Sequence, residues 1–153
     1  MTSLFDSVSL MHGNAMPNRF MLSPLTNQQS HVDGTLSEEE FTWLTMRAQG
    51  GFGLTMTCAS HVQRIGQGFP GQLGCFGDEH AVGLKRIADA IRATGNLSYV
   101  QLHHAGNRSP KELIGEVPVC PSEDAETGAR ELTRAEVEQL IADFVAAAVR
   151  CDK

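Results

Sequence analysis

The chain has 153 residues and a mass of 16.6 kDa, enough for one ordinary domain, and its 41% hydrophobic content is that of a folded globular protein. Its 12 Lys and Arg against 18 Asp and Glu leave a formal charge of −6 with no basic run, which excludes a nucleic-acid footprint. No apolar run approaches the ~20 residues of a membrane span, and the opening MTSLFDSVSLMHGNAM lacks the pattern of a leader, so a cytoplasmic location is expected.

Taken in order, residues 8 to 16 alternate around His12-Gly13-Asn14 and predict a small hairpin, a lid leading into Pro17. Asn18 to Leu25 is the first strand; contiguous Phe20, Met21 and Leu22 suit burial on both faces, and Pro24 ends it. Ser37-x-x-Glu40 spells a capping box opening a helix with Phe41, Leu44, Thr45 and Ala48 inward, stopped by Gly50-Gly51. Phe52 to Thr57 is the second strand, followed by a glycine-rich loop from Ser60 to Gly77. Asp78 caps a second helix, with Ala81, Leu84, Ile87, Ala88 and Ile91 inward and Gly95 at its end. Leu97 to Leu102 is the third strand. A connection of about thirty residues then runs from His103 to Leu132, far longer than is usual between such elements and a mark of function. Thr133-x-x-Glu136 opens the last helix, with Val137, Leu140, Ile141, Phe144, Val145 and Ala148 inward.

This alternation predicts an α/β fold with a parallel sheet and three βα units, residues 17–51, 52–96 and 97–153, whose ligands sit at the carboxyl ends of the strands. A doubly wound sheet and a (β/α) barrel share that rule, and periodicity does not choose between them.

Four motifs carry possible chemistry. Gly66-Gln67-Gly68-Phe69-Pro70-Gly71 matches G-x-G-x-x-G, yet it neither follows its strand directly nor opens a helix, so no phosphate cradle is expected. His61, His103 and His104 are candidate metal ligands, but adjacent histidines on an extended segment point to opposite faces and no Cys, Asp or Glu stands at ligand spacing; no metal is expected. Gln101 ends a buried strand, where its amide must find a backbone partner or a ligand with adjacent donor and acceptor edges. Thr26, ending the first strand, has the same dual capacity. Cys58 stands near the same edge without a cationic neighbour and reads as a packing residue. With Cys75, Cys120 and Cys151 it is read as a reduced thiol, because none lies at C-x-x-C spacing.

The segments NRFMLSPLT, GLTMTCASHV, GFPGQLG, VQLHHAGNRS, VCPS and ELTRAEVEQLIADFVAAAVR, in that order from about Leu4 to Lys153, together resemble the N-terminal part of the old yellow enzyme family. These are FMN-dependent NADH:flavin oxidoreductases and ene reductases on a TIM barrel. The resemblance implies an incomplete (β/α)8 barrel, the first three βα units preceded by a hairpin. It implies Pro24 and Leu25 along the flavin, Thr26 on its C4 carbonyl side, the Ala59 backbone near N5 and O4, and Gln101 on the pyrimidine edge. His104-Ala105-Gly106 matches the family's H-A-G turn. Asn107 stands where the family often has Arg, which leaves Arg108 as the pocket-mouth contact.

The implied reaction is ping-pong: NAD(P)H reduces FMN, which passes hydride to an activated alkene while an acid protonates the neighbouring carbon. The strands that bear the substrate-holding pair, the tyrosine donor and the phosphate clamp have no counterpart here. The expectation is therefore an oxidoreductase fragment that binds FMN weakly and does not turn over alone, completed by a separate chain or by self-association. The alternative is a non-catalytic remnant that binds a partner through open sheet edges.

Overall fold

The computed structural model describes residues 2–152; Lys153, the last residue of the expected third unit, lies outside the described residues. Three parallel strands form one sheet in the order β1 (Met21–Leu22), β2 (Leu54–His61), β3 (Leu97–His103). Helix α1 (Glu38–Gln49) follows β1 and helix α2 (Ala81–Arg92) follows β2. After β3 come the single turn α3 (Lys111–Ile114), a two-stranded parallel ribbon of β4 (Val119–Cys120) and β5 (Arg130–Glu131), and the long helix α4 (Arg134–Asp152). No helix among the described residues is long and apolar enough to cross a membrane.

Ahead of the sheet, Val8 and Met16 exchange backbone hydrogen bonds of 2.9 Å each, closing the small hairpin. Asn18 then ties the first two strands together. Its Nδ2 donates to Gly51 O at 2.8 Å, and its Oδ1 accepts from the backbone of Phe20 at 3.0 Å and Gly53 at 3.1 Å. A Cβ on Gly53 would lie 2.8 Å from that same Oδ1, so glycine is required there.

β1 is shorter and more open than its sequence suggests. Only Met21 and Leu22 pair with β2, and Met21 is 48% exposed while Leu22 is buried. The strand is the outer one of the sheet, with helices covering one face only. Pro24, which has no N–H to donate, takes the chain out of the ladder. β2 errs in the opposite direction, since it runs on to His61: Ser60 and His61 stay paired with Leu102 and His103 and are fully buried.

The core lies between the sheet and α1, α2 and α4, built from Leu44, Ala48, Cys58, Leu73, Ile87 and Ile91. At α2 the expected Asp78 cap is absent. Residues 78–80 form a short 3-10 turn, buried His80 takes the Gly77 N–H at Nδ1 (3.2 Å), and Asp78 accepts from Arg150 Nε at 2.9 Å. At α4 the capping box is complete: Thr133 Oγ1 accepts from Glu136 N (3.3 Å), and Glu136 Oε2 accepts from Thr133 N (2.8 Å).

The buried face of α4 also differs from expectation. Leu140, Phe144, Ala147 and Cys151 pack on the core, while Val137, Ile141 and Val145 are 40, 60 and 58% exposed and Ala148 is exposed as well. The helix carries two neighbouring apolar stripes, and periodicity cannot say which one meets the sheet. Replacing Ile141 by Lys is therefore expected to change unfolding free energy by less than about 0.5 kcal/mol. Phe144→Ala is expected to cost about 3 kcal/mol in the same urea titration.

Candidate functional site

The carboxyl edge of the sheet is shaped by an irregularity in β2. Met56 pairs with Tyr99, but the next pair is Ala59 with Gln101, so β2 has one residue more than β3 between them. Thr57 Oγ1 bridges the gap, accepting from Gln101 N at 3.3 Å and donating to Cys58 O at 2.8 Å. Ser60 Oγ donates to the same carbonyl at 3.2 Å. Two buried hydroxyls thus replace ladder bonds that the bulge opens. As a result Ala59, and not Cys58, stands beside Gln101.

A residue without any prior sign of function organises the far side. Gln72 is fully buried; its Nε2 donates to Ala59 O at 2.7 Å and lies 3.3 Å from His103 Nδ1, while its Oε1 accepts from Gly68 N at 2.7 Å. One amide therefore joins the loop after β2 to the ends of β2 and β3. His103 Nδ1 acts as acceptor, which places its proton on Nε2, and burial lowers its pKa.

His104 packs differently. Its Nδ1 accepts from Gly106 N at 3.0 Å, and its buried Nε2 has no partner among the described residues. Any Cβ on Gly66 would collide with this ring. The first glycine of the G-x-G-x-x-G string thus makes room for a histidine. Burial, and then neighbouring His103, lower the His104 pKa. Among the described residues no three His, Cys, Asp or Glu gather to hold a metal.

His61 lies behind the site. Its Nδ1 donates to Leu73 O at 3.1 Å, and its ring is 4.9 Å from that of Phe76, which in turn is 4.4 Å from His80. Burial brings its pKa down to about 4.

On the first loop Pro24 is half-buried, Leu25 is 49% exposed, and the Thr26 hydroxyl is exposed, with no hydrogen bond among the described residues. The segment that follows is anchored from below by Glu40. The expected capping box is one-sided, since Ser37 accepts from Glu40 N at 3.1 Å but the Glu40 carboxylate turns into the protein. There, fully buried, it accepts from Asn27 Nδ2 (3.1 Å), Cys58 Sγ (3.1 Å) and the Ser30 hydroxyl. Cys58 is buried against it, and that burial, followed by the carboxylate's charge, raises its thiol pKa. The motif Ser-x-x-Glu concealed this role because it is also the sequence of an ordinary cap.

Because the strands are parallel, the loop bearing Thr26, Ala59 and Gln101 all lie toward one sheet edge. Arg108 is not brought to them. It lines a surface depression of about 420 Å³ with Asn107, Pro110, Pro118 and Gly128, which none of Pro24, Leu25, Thr26, Ala59 and Gln101 borders. A cleft of about 550 Å³ also lies elsewhere, between α2, β3 and α4.

Residues 3–153 match the NADH:flavin oxidoreductase / NADH oxidase family. The chain belongs to this family. It is 36% identical over 145 residues to a probable NADH-dependent flavin oxidoreductase, YqiG, of Bacillus subtilis, covering 92% of this chain and 39% of that protein. It is 31% identical over 150 residues to an NADH:acrylate oxidoreductase of Vibrio harveyi, covering 94% of this chain and 15% of the other. The old yellow enzyme homologue of Zymomonas mobilis superposes with a TM-score of 0.88 at 27% identity, over 97% of this chain and 45% of that one. The three βα units are thus part of an old yellow enzyme TIM barrel, and the chain spans less than half the length of these relatives.

Two outcomes follow from the family's strand edge as it stands here. Thr57→Val keeps the shape but strands the Gln101 N–H, and is expected to lower unfolding free energy by about 1 to 3 kcal/mol, with Thr57→Ser near wild type. For His61, whose folded pKa lies near 4 against an ordinary 6.5, the unfolded chain binds the extra proton between those values. Stability is therefore full above about pH 6.5 and falls by about 3 kcal/mol on acidification toward pH 4. His61→Gln should flatten that slope in urea melts run across pH.

Proposed function

We propose that this chain forms one wall of an FMN site in a cytoplasmic NAD(P)H-dependent oxidoreductase whose substrate is an activated alkene. The observation that carries the reading is Gln101. Its side-chain amide stands near the carboxyl end of β3 beside Ala59, half-buried, and makes no hydrogen bond among the described residues. An amide so placed offers a donor and an acceptor together, as the edge of a flavin pyrimidine requires. The surroundings fit the same group: Leu25 and Pro24 present apolar surface to a planar ring, and Thr26 has a free hydroxyl. The alkene is supported by the similar NADH:acrylate oxidoreductase, since acrylate is an alkene conjugated to a carboxylate. The cytoplasmic setting rests on four scattered cysteines, none in a disulfide.

In this reading Pro24 and Leu25 line the ring, Thr26 and the Ala59 backbone meet its polar atoms, and Gln101 holds its edge. Bound FMN supplies the hydride chemistry. The chain's own contribution is orientation. Thr57 fixes the backbone of Gln101, Gln72 fixes that of Ala59, and Glu40 holds the segment following Thr26. His103 and His104, kept neutral by burial, present N–H groups and no charge. Arg108, outside this wall, belongs to the proposal only as a contact at the mouth of the completed pocket.

One wall is a weak site. At about 1 kcal/mol net for each of three hydrogen bonds, affinity reaches only the millimolar scale. The open edge of β3 and the exposed Val137–Ile141–Val145–Val149 stripe on α4 favour a cover of further βα units of the same barrel. That same face is what favours the second reading, a non-catalytic module that binds a partner there.

Flavin fluorescence titration tests the proposal. Weak saturable quenching, with Kd on the millimolar scale, is expected for the wild type and is lost in Gln101→Leu with an unchanged circular dichroism spectrum. Stoichiometric flavin absorbance with NAD(P)H oxidation by the chain alone would overturn the one-wall reading. A flavin-free protein that instead holds an unrelated partner on α4 would establish the second.

A further inference from the structure

The long connection between β3 and α4 encloses the depression of about 420 Å³ on which Arg108 stands. Two stretches line it: residues 107–112, which leave the short 3-10 turn Gly106–Arg108, and, further along, Pro118, Thr127 and Gly128. Asp124 ties these stretches together. Its Oδ2 accepts from Asn107 Nδ2 and from Thr127 Oγ1, at 2.8 Å each, and its Oδ1 accepts from Glu126 N at 3.0 Å. The hollow is therefore built before anything enters it.

Its lining is charged and unsatisfied. Arg108 and Lys111 are exposed, and neither head group has an ion pair or hydrogen bond among the described residues. Between them in the chain, Ser109 is only 3% exposed, and its buried hydroxyl has no partner among the described residues. A hydroxyl stranded inside a protein is costly, and an acceptor oxygen seated in the depression would satisfy it. Glu112 is the one carboxylate of the lining.

We propose that this depression binds a phosphoryl group, as free phosphate or as the end of a small phosphate monoester. Near neutral pH such a group carries a charge of about −1.5 to −2 and three strong acceptor oxygens. The lining supplies a matching set: the planar fork of Arg108, the point charge of Lys111 and the O–H of Ser109. A carboxylate, with a single charge and one oxygen fewer, leaves one of these donors unmet. Glu112 opposes any anion, and the two cations outweigh it. The hollow is larger than a phosphate ion needs, which leaves space for the carbon end of an ester. None of Pro24, Leu25, Thr26, Ala59 and Gln101 borders it, so the site does not rest on the flavin reading.

The test is titration of the full chain with inorganic phosphate, and separately with glycerol phosphate, at fixed ionic strength, followed by backbone amide NMR shifts. Saturable shifts centred on Arg108, Ser109 and Lys111 are expected. Arg108→Gln and Lys111→Gln, both at exposed positions, should each weaken binding at least about fivefold. Ser109→Ala should weaken it as well, whereas Glu112→Gln should tighten it. Tighter binding of glycerol phosphate identifies an ester as the ligand, and equal or tighter binding of inorganic phosphate identifies the free ion. Gln101→Leu, which removes the proposed flavin contact, should bind phosphate as wild type does, so the two readings fail separately. Shifts that do not saturate or that lie elsewhere, acetate binding as tightly as phosphate, or an Arg108→Gln variant of unchanged affinity would refute the site.

Discussion

The extra residue that β2 inserts opposite β3 decides what the site can be. With plain alternation after Met56, Cys58 would stand beside Gln101, and every later side chain of β2 would change faces. The bulge instead turns Cys58 into the core, sets Ala59 against Gln101, and pairs His61 with His103. Such a break leaves backbone groups without ladder partners inside the protein. Thr57 and Ser60 are the groups that satisfy them, which is why two buried hydroxyl residues occupy the central strand.

Around that strand the interior is more polar than a packing argument alone requires. Glu40, Gln72, His61 and His80 are all buried, and each is hydrogen-bonded to a loop. A buried carboxylate or amide is costly unless its partners are in place, so these residues lock the loops in the one arrangement that satisfies them. The loops so locked are those after β1 and β2, the ones that carry Thr26 and frame Ala59. This is the rigidity a cofactor wall needs, because atoms that meet a planar ring must be positioned before it arrives.

The opposite side of the molecule is unfinished in a physical sense. Met21 and Tyr99 expose large apolar surface on the sheet, and α4 exposes a second apolar stripe. Barrel sheets avoid such edges by closing. The chain overlaps less than half the length of each relative reported above.

Much of this was legible in the chain itself. Capping signals and apolar period placed α1, α2 and α4, strand–helix alternation implied a parallel sheet, and ordered segments such as VQLHHAGNRS pointed to the family, because local propensity and short-range spacing decide these features. The sequence could not say that Glu40 turns inward to serve Asn27, Ser30 and Cys58, since Ser-x-x-Glu is satisfied equally well by a simple cap. Nor could it say that Gln72 would bind Ala59 and His103, that Arg108 would lie away from the strand ends, or which stripe of α4 would be covered. Those outcomes depend on partners distant in the chain. Hydrogen bonds and burial at such positions are settled only when the sheet, its bulge and the helices pack together.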